Sequence, residues 1–200
     1  SQWGQLPVPY NTVSGFADFS LFKKQDFTNW VGVGVAFFND KAGDGQLTLN
    51  RTELALAYHI LTGESSMLSV GFSASTNQRS IDFSKLTFDR QWDGFKFDAT
   101  TNNGEPNTIA ETSFWDVNAG INYALFPNEN LYIKIGVGLA HINQPKESFL
   151  GGSSQINMRP TANFDALIKL DGSLVINPSI YYTRQGTAQE LVYGNMARFF

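Results

Sequence analysis

From Val31 to Leu61 the chain alternates with a period of two. Val31, Val33, Val35 and Phe37 share one face and Gly32, Gly34 and Ala36 the other; on the return Leu54, Leu56, Tyr58 and Ile60 oppose Glu53, Ala55, Ala57 and His59. The intervening Asn39–Gly45 stretch, with two glycines and two aspartates, reverses the chain as a hairpin. Each strand thus has one greasy face and one small or polar face. The same pattern recurs at Leu68–Ala74, Trp115–Leu125, Ile133–Leu139, Ala162–Ile168 and Ile176–Tyr182, with a weaker version around Phe16, Phe19 and Phe22 and a last strand reaching Phe200. Nine strands are predicted.

Between the strands, short turns at Gly63, Asn128 and Gly172 alternate with longer loops at Asp44, Trp92, Gly151 and Gly186. An up-and-down meander built this way carries short turns on one rim and longer loops on the other, the asymmetry typical of outer-membrane barrels. Segments of about ten residues also match a tilted strand crossing a bilayer. The longest polar segment, Thr76 to Thr112, carries Phe83, Leu86, Phe88, Trp92, Phe95 and Phe97 among Asn, Asp, Thr and Gly. Those aromatics predict a partly ordered surface loop, with a short helix near Ser84.

Composition sharpens the choice of surroundings. Charged residues are 16% of the 200, against about 25% in a typical soluble domain, while aromatics reach 14%. No run approaches the length of a membrane helix, so entry into a membrane would be by strands. A soluble lipocalin-type barrel would turn its apolar face inward and carry Lys and Glu outside. Here the second face is mostly Gly, Ala, Ser and Asn, which suits a crowded barrel interior. The expected fold is therefore all-β, an antiparallel up-and-down transmembrane β-barrel of outer-membrane type. Val31, Val33, Val35, Phe37, Ile133, Ile135, Val137 and Leu139 are expected to face lipid. Trp30, Tyr58, Trp115, Tyr123, Tyr132, Tyr181 and Tyr182 fall near strand ends, as an interfacial girdle would.

Candidate chemistry is thin. A net charge of −4 gives no basic patch for nucleic acid, and the absence of cysteine removes disulfides, thiol catalysis and thiolate metal sites. His59 and His141 have no convergent ligands at recognisable spacing and read as interfacial or lumenal packing. Asn39, Asp40 and Asp44 lack the spacing of a calcium loop. Asp82, Asp89, Asp93 and Asp98 are strung through a loop rather than paired as glycosidase carboxylates. Interleaved with them, Phe88, Trp92, Phe95 and Phe97, together with Asp93, form a mixture suited to gripping a protein or glycan. No catalytic residue, metal or cofactor is predicted.

Gln2-Trp3 followed by Pro9-Tyr10, Gly32-Val33-Gly34 with Asn39 to Gly43, Ile81 to Leu86, Trp115 to Ile121, and above all Gly136 to Pro145, with Asn177-Pro178-Ser179 less specific, together resemble the PorP/SprF family. The resemblance implies a non-enzymatic outer-membrane barrel of the type IX secretion and gliding machinery of Gram-negative bacteria. Its implied partners are outer-membrane lipid, other components of that machinery and a large secreted surface adhesin. It also implies that residues 1–200 form a single domain, the central portion of a larger barrel, with a long surface loop at 76–112. A channel for diffusion or uptake of small solutes is the alternative function.

Overall fold

The computed structural model describes residues 10–23, 28–104, 109–148, 154–170 and 173–200. Nine strands make one antiparallel sheet in sequence order: β1 (Asn11–Leu21), β2 (Asn29–Ala42), β3 (Leu47–Gly63), β4 (Ser66–Asp82), β5 (Ile109–Asn128), β6 (Leu131–Ala140), β7 (Arg159–Leu170), β8 (Leu174–Gln185) and β9 (Ala188–Phe199). Every strand pairs with its neighbour in sequence, and β1 and β9 are the two edges. Lys24–Asp26 and the turns expected at Gly151–Gly152 and Asp171–Gly172 lie outside the described residues.

Register settles which residues share a face. Val31 is opposite Tyr58, which is opposite Val70, then Ile121, Val137, Ala162, Tyr182 and Leu191. The same rows run through Val33, Leu56, Phe72 and Ala119 and through Val35, Leu54, Ala74 and Val117. On the opposite face lie Gly32, Ala57, Gly71, Gly120, Gly138 and Thr161. Leu21, the last residue of β1, is in row with Val31 and hence with Leu191, whereas β9 runs on to Phe199. The register therefore drifts by about one residue per strand, the stagger that accompanies the tilt of barrel walls.

Burial is the reverse of a soluble domain. Among the described residues the buried apolar side chains are Ala110, Ala124, Ala166 and Pro145, while Ser75, Asn77, Gln91 and Asp116 are buried polar groups. Val35, Phe37, Leu54, Leu56, Phe72, Ile121, Ile135 and Val137 are exposed. The polar face is the protein's inside.

Four expectations change. The strands β4 and β5 continue through the polar residues Asn77–Asp82 and Ile109–Phe114, so the long loop is 83–108 rather than 76–112. Above the apolar rows the outer face turns to Gln78, Ser80, Glu111 and Ser113 while Phe114, Ala110 and Ile81 fall on the other, which erases the expected alternation, and cross-strand pairing rather than pattern extends the hairpin. The loop at Gly186 is a tight turn between Gln185 and Ala188, with Gly186 at φ +58°. Trp30, Tyr132 and Tyr181 stand on the small-residue face, Trp30 stacked on His59 at 4.9 Å, so only Tyr58, Trp115, Tyr123 and Tyr182 of that aromatic set lie on the apolar face. The helix expected near Ser84 is a single 3-10 turn, Phe83–Lys85, with the Asp82 carboxylate accepting from the Ser84 amide at 3.0 Å.

Candidate functional site

The two longest connections, 83–108 and 141–158, emerge on one rim, and the β1–β2 connection, 22–28, on the other. The connections 43–46 and 186–187 share the first rim, while 64–65 and 129–130 lie on the second. Just below the first rim the outer face changes character within one row. Phe37, Thr52, Thr76 and Trp115 form a row carrying large aromatic groups, and the next across β2–β5 is Asn39, Asn50, Gln78 and Ser113, with Val13 of β1 beside Asn39. There Asn39 donates its amide to Asn50, and one row on Gln78 reaches the Glu111 carboxylate.

The loop 83–108 is folded upon itself. Phe83 packs on Phe88 at 6.4 Å, and Leu86 sits against Gly45 of the β2–β3 turn, whose carbonyl accepts from the Asp82 amide at 2.8 Å. The buried Gln91 amide donates to the carbonyls of Thr101 at 3.3 Å and Ala99 at 3.5 Å, while its oxygen accepts from the Phe88 amide at 3.0 Å. From this base a small hairpin projects, with Trp92 bridged to Phe97. At its tip the Asp93 carboxylate accepts from the amides of Phe95 and Lys96, both at 2.8 Å.

Of the five residues expected to bind a partner, the structure therefore brings three to the surface together. Trp92, Phe95 and Phe97 are exposed, Phe95 at 94%. Phe88 belongs to the base, and Asp93 is engaged as the brace of the turn. The Lys96 and Phe95 amides hold the Asp93 carboxyl below its ordinary pKa, and the Thr100 hydroxyl and amide do the same for Asp98. Carboxylates with depressed pKa contribute order above their ordinary value of about 3.9 and lose it as pH falls through the depressed one. Trp92 fluorescence anisotropy is therefore expected to stay level from neutral pH down to about 4 and to drop only below that; a fall nearer pH 6 would show that other groups brace the tip.

The second cluster lies inside the wall, where two segments far apart in sequence meet. Asp116, 1% exposed, accepts from Nδ1 of His141 at 2.9 Å. Asn118 accepts from the His141 amide at 3.2 Å and donates to Ser73 at 3.1 Å. The Asn143 side chain donates to the Trp115 carbonyl at 2.7 Å and accepts from the Val117 amide at 3.1 Å, and the Ile142 amide donates to the Val117 carbonyl at 3.0 Å. Farther along, Arg79 of β4 pairs with Glu147, so the β6–β7 connection is drawn over the inner face. Gly136 has a spatial reason of its own: a Cβ there would collide with the side-chain oxygens of Asn122 and Asn163 from the two flanking strands.

Sequence reasoning did not find the Asp116–His141 contact. The signal available was that Trp115–Asn118 and Ala140–Pro145 both carried the resemblance. No spacing links them, because His141 turns out of β6 just past its last pairing with β5 and reaches Asp116 from there.

A staggered meander with an exposed apolar side, a hydrogen-bonded polar side and its long loops on one rim is the wall of an outer-membrane-type β-barrel. The chain matches, over residues 1–200, the family described as type IX secretion system membrane protein PorP/SprF, and it belongs to that family. No curated protein matches it.

Proposed function

We propose that this secretion-system membrane protein is a non-enzymatic barrel of the outer membrane of a Gram-negative bacterium, which supports secretion or surface anchoring of a large adhesin by the type IX secretion and gliding machinery. The observation that carries the placement is the single-row change from Phe37 and Trp115 to Asn39, Asn50, Gln78 and Ser113 on the outer face. Below that row Val31, Val33, Val35 and Phe37 on β2 and Ile133, Ile135, Val137 and Leu139 on β6 face lipid. Above it the wall stands in water, as the ends of a membrane barrel do.

The mechanism is docking. The barrel fixes the loop 83–108 at the outer surface, where Trp92, Phe95 and Phe97 are presented on a prebraced hairpin. Aromatics held in place before binding lose little freedom on contact, which favours them as anchors. Changing Trp92 and Phe95 together to alanine is expected to weaken adhesin retention by about 2–4 kcal/mol while leaving barrel folding intact. Co-purification of tagged adhesin in detergent, with heat-modifiable gel migration as the folding control, measures both. Retention at the wild-type level would remove the loop from the contact surface. The alternative, a small-solute channel, predicts steady ion conductance in planar bilayers from the purified protein.

A further inference from the structure

Beyond this reading, the geometry points to the upper edge of β5, residues 111–115, which no strand among the described residues covers on its β6 side, as a strand-addition site for an extended polypeptide segment of another protein. The edge exists because β6 stops at Ala140 while β5 continues past its last pairing with β6, Ala119 opposite Leu139, as far as Ile109. At His141 the backbone turns left-handed, φ +58°, and it does so again at Gln144, φ +44°. Such conformations are costly for residues with side chains and persist only where their surroundings enforce them. Here Asp116 and Asn118 hold His141, and Arg79 holds Glu147, so the chain that would have continued along β5 is drawn to the inner face.

What remains is a ladder with its first rung filled. The main-chain groups of Trp115 and Val117 that face away from β4 are met by Ile142 and by the Asn143 side chain, which occupies the place of a strand residue. Antiparallel alternation makes Ser113 and Glu111 the next residues to face the same way. Their outward main-chain groups have no hydrogen-bond partner among the described residues, and both residues are exposed. Exposed edges are usually blunted by Lys, Pro or a bulge; Glu111–Trp115 contains neither residue and pairs with Thr112's and its neighbours' β4 partners without a register shift. Trp115, 67% exposed, flanks the edge on the outer side, giving an added strand a surface for alternate side chains. A second copy does not fit antiparallel, since that pairing would invert one copy relative to the membrane.

The test replaces Trp115 with the photocrosslinking residue p-benzoylphenylalanine in cells making the full protein, followed by mass spectrometry of the crosslinked peptides. Adducts are expected on one contiguous segment of a different polypeptide. Ser113→Pro removes an outward amide without touching the β4 ladder, a position where proline is tolerated. It is expected to cut adduct yield about tenfold, the worth of a main-chain hydrogen bond with the ring's obstruction added. Glu111→Pro serves as a second variant, and heat-modifiable migration confirms folding for each. Adducts confined to lipid, to this chain's own residues 141–158 or to a second copy would overturn the proposal, as would an unchanged yield in both folded proline variants. The loop-tip variants at Trp92 and Phe95 leave this edge intact, so failure of adhesin docking and failure of strand addition are read separately.

Discussion

His141→Ala destabilises the barrel by about 3–5 kcal/mol, the usual consequence of leaving a buried carboxylate without its partner. Asp116 is 1% exposed and receives its hydrogen bond from His141 at 2.9 Å, while water has little access to the pair. Truncation also frees the left-handed turn that carries the β6–β7 connection inward. The measurement is urea-dependent folding into lipid vesicles, compared with Asp116→Leu and with the double variant. Since the double variant strands no charge, it should be more stable than His141→Ala alone. A single variant within about 1 kcal/mol of the parent, the size of an ordinary net hydrogen bond, would mean that the pair does not hold the wall together.

Val35→Arg is the second large effect, expected to cost about 2–4 kcal/mol where a charged side chain is forced toward the bilayer midplane. Val35 is 44% exposed between Ala17 and Leu54 on neighbouring strands, with no acidic residue opposite it. Gly34→Ser next to it turns the other way. An added Cβ there finds the Ala55 Cβ at 3.6 Å, an ordinary contact, so the substitution should be mild. Folding both variants into vesicles compares the two faces of one strand directly, and equal effects would reverse the face assignment.

The wall was legible in the sequence because a period of two is a local property. Val31 to Phe37 against Gly32 to Ala36, and Ile133 to Leu139 against Lys134 to Ala140, share faces in the sheet as their alternation requires. Above Phe37 and Trp115 the alternation lapses, since Asn50, Gln78 and Ser113 turn the outer face polar while Phe114, Ala110 and Ile81 fall on the other, and the upper parts of β4 and β5 read as loop. Phe88, Trp92, Phe95 and Phe97 lead to the expectation of a partly ordered loop, and they lie in its described, hydrogen-bonded part. Their division into a packed base and an exposed tip depends on Gln91 and Asp93 bonding to main chain, which composition does not reveal. His141 was the least legible residue. Its partner lies on β5, and a backbone turn uncommon outside glycine brings the two together just past the end of β6.

The count of nine strands among the described residues has an arithmetic consequence. Strands β1 and β9, both odd in a strict up-and-down order, run in the same direction, so joining them to each other would make a parallel seam in an otherwise antiparallel sheet. An antiparallel closure takes an odd number of further strands between them, which brings the total to an even number, as in single-chain bacterial barrels. Two copies of residues 1–200 joined edge to edge in one membrane orientation fail the same parity rule twice, once at each seam.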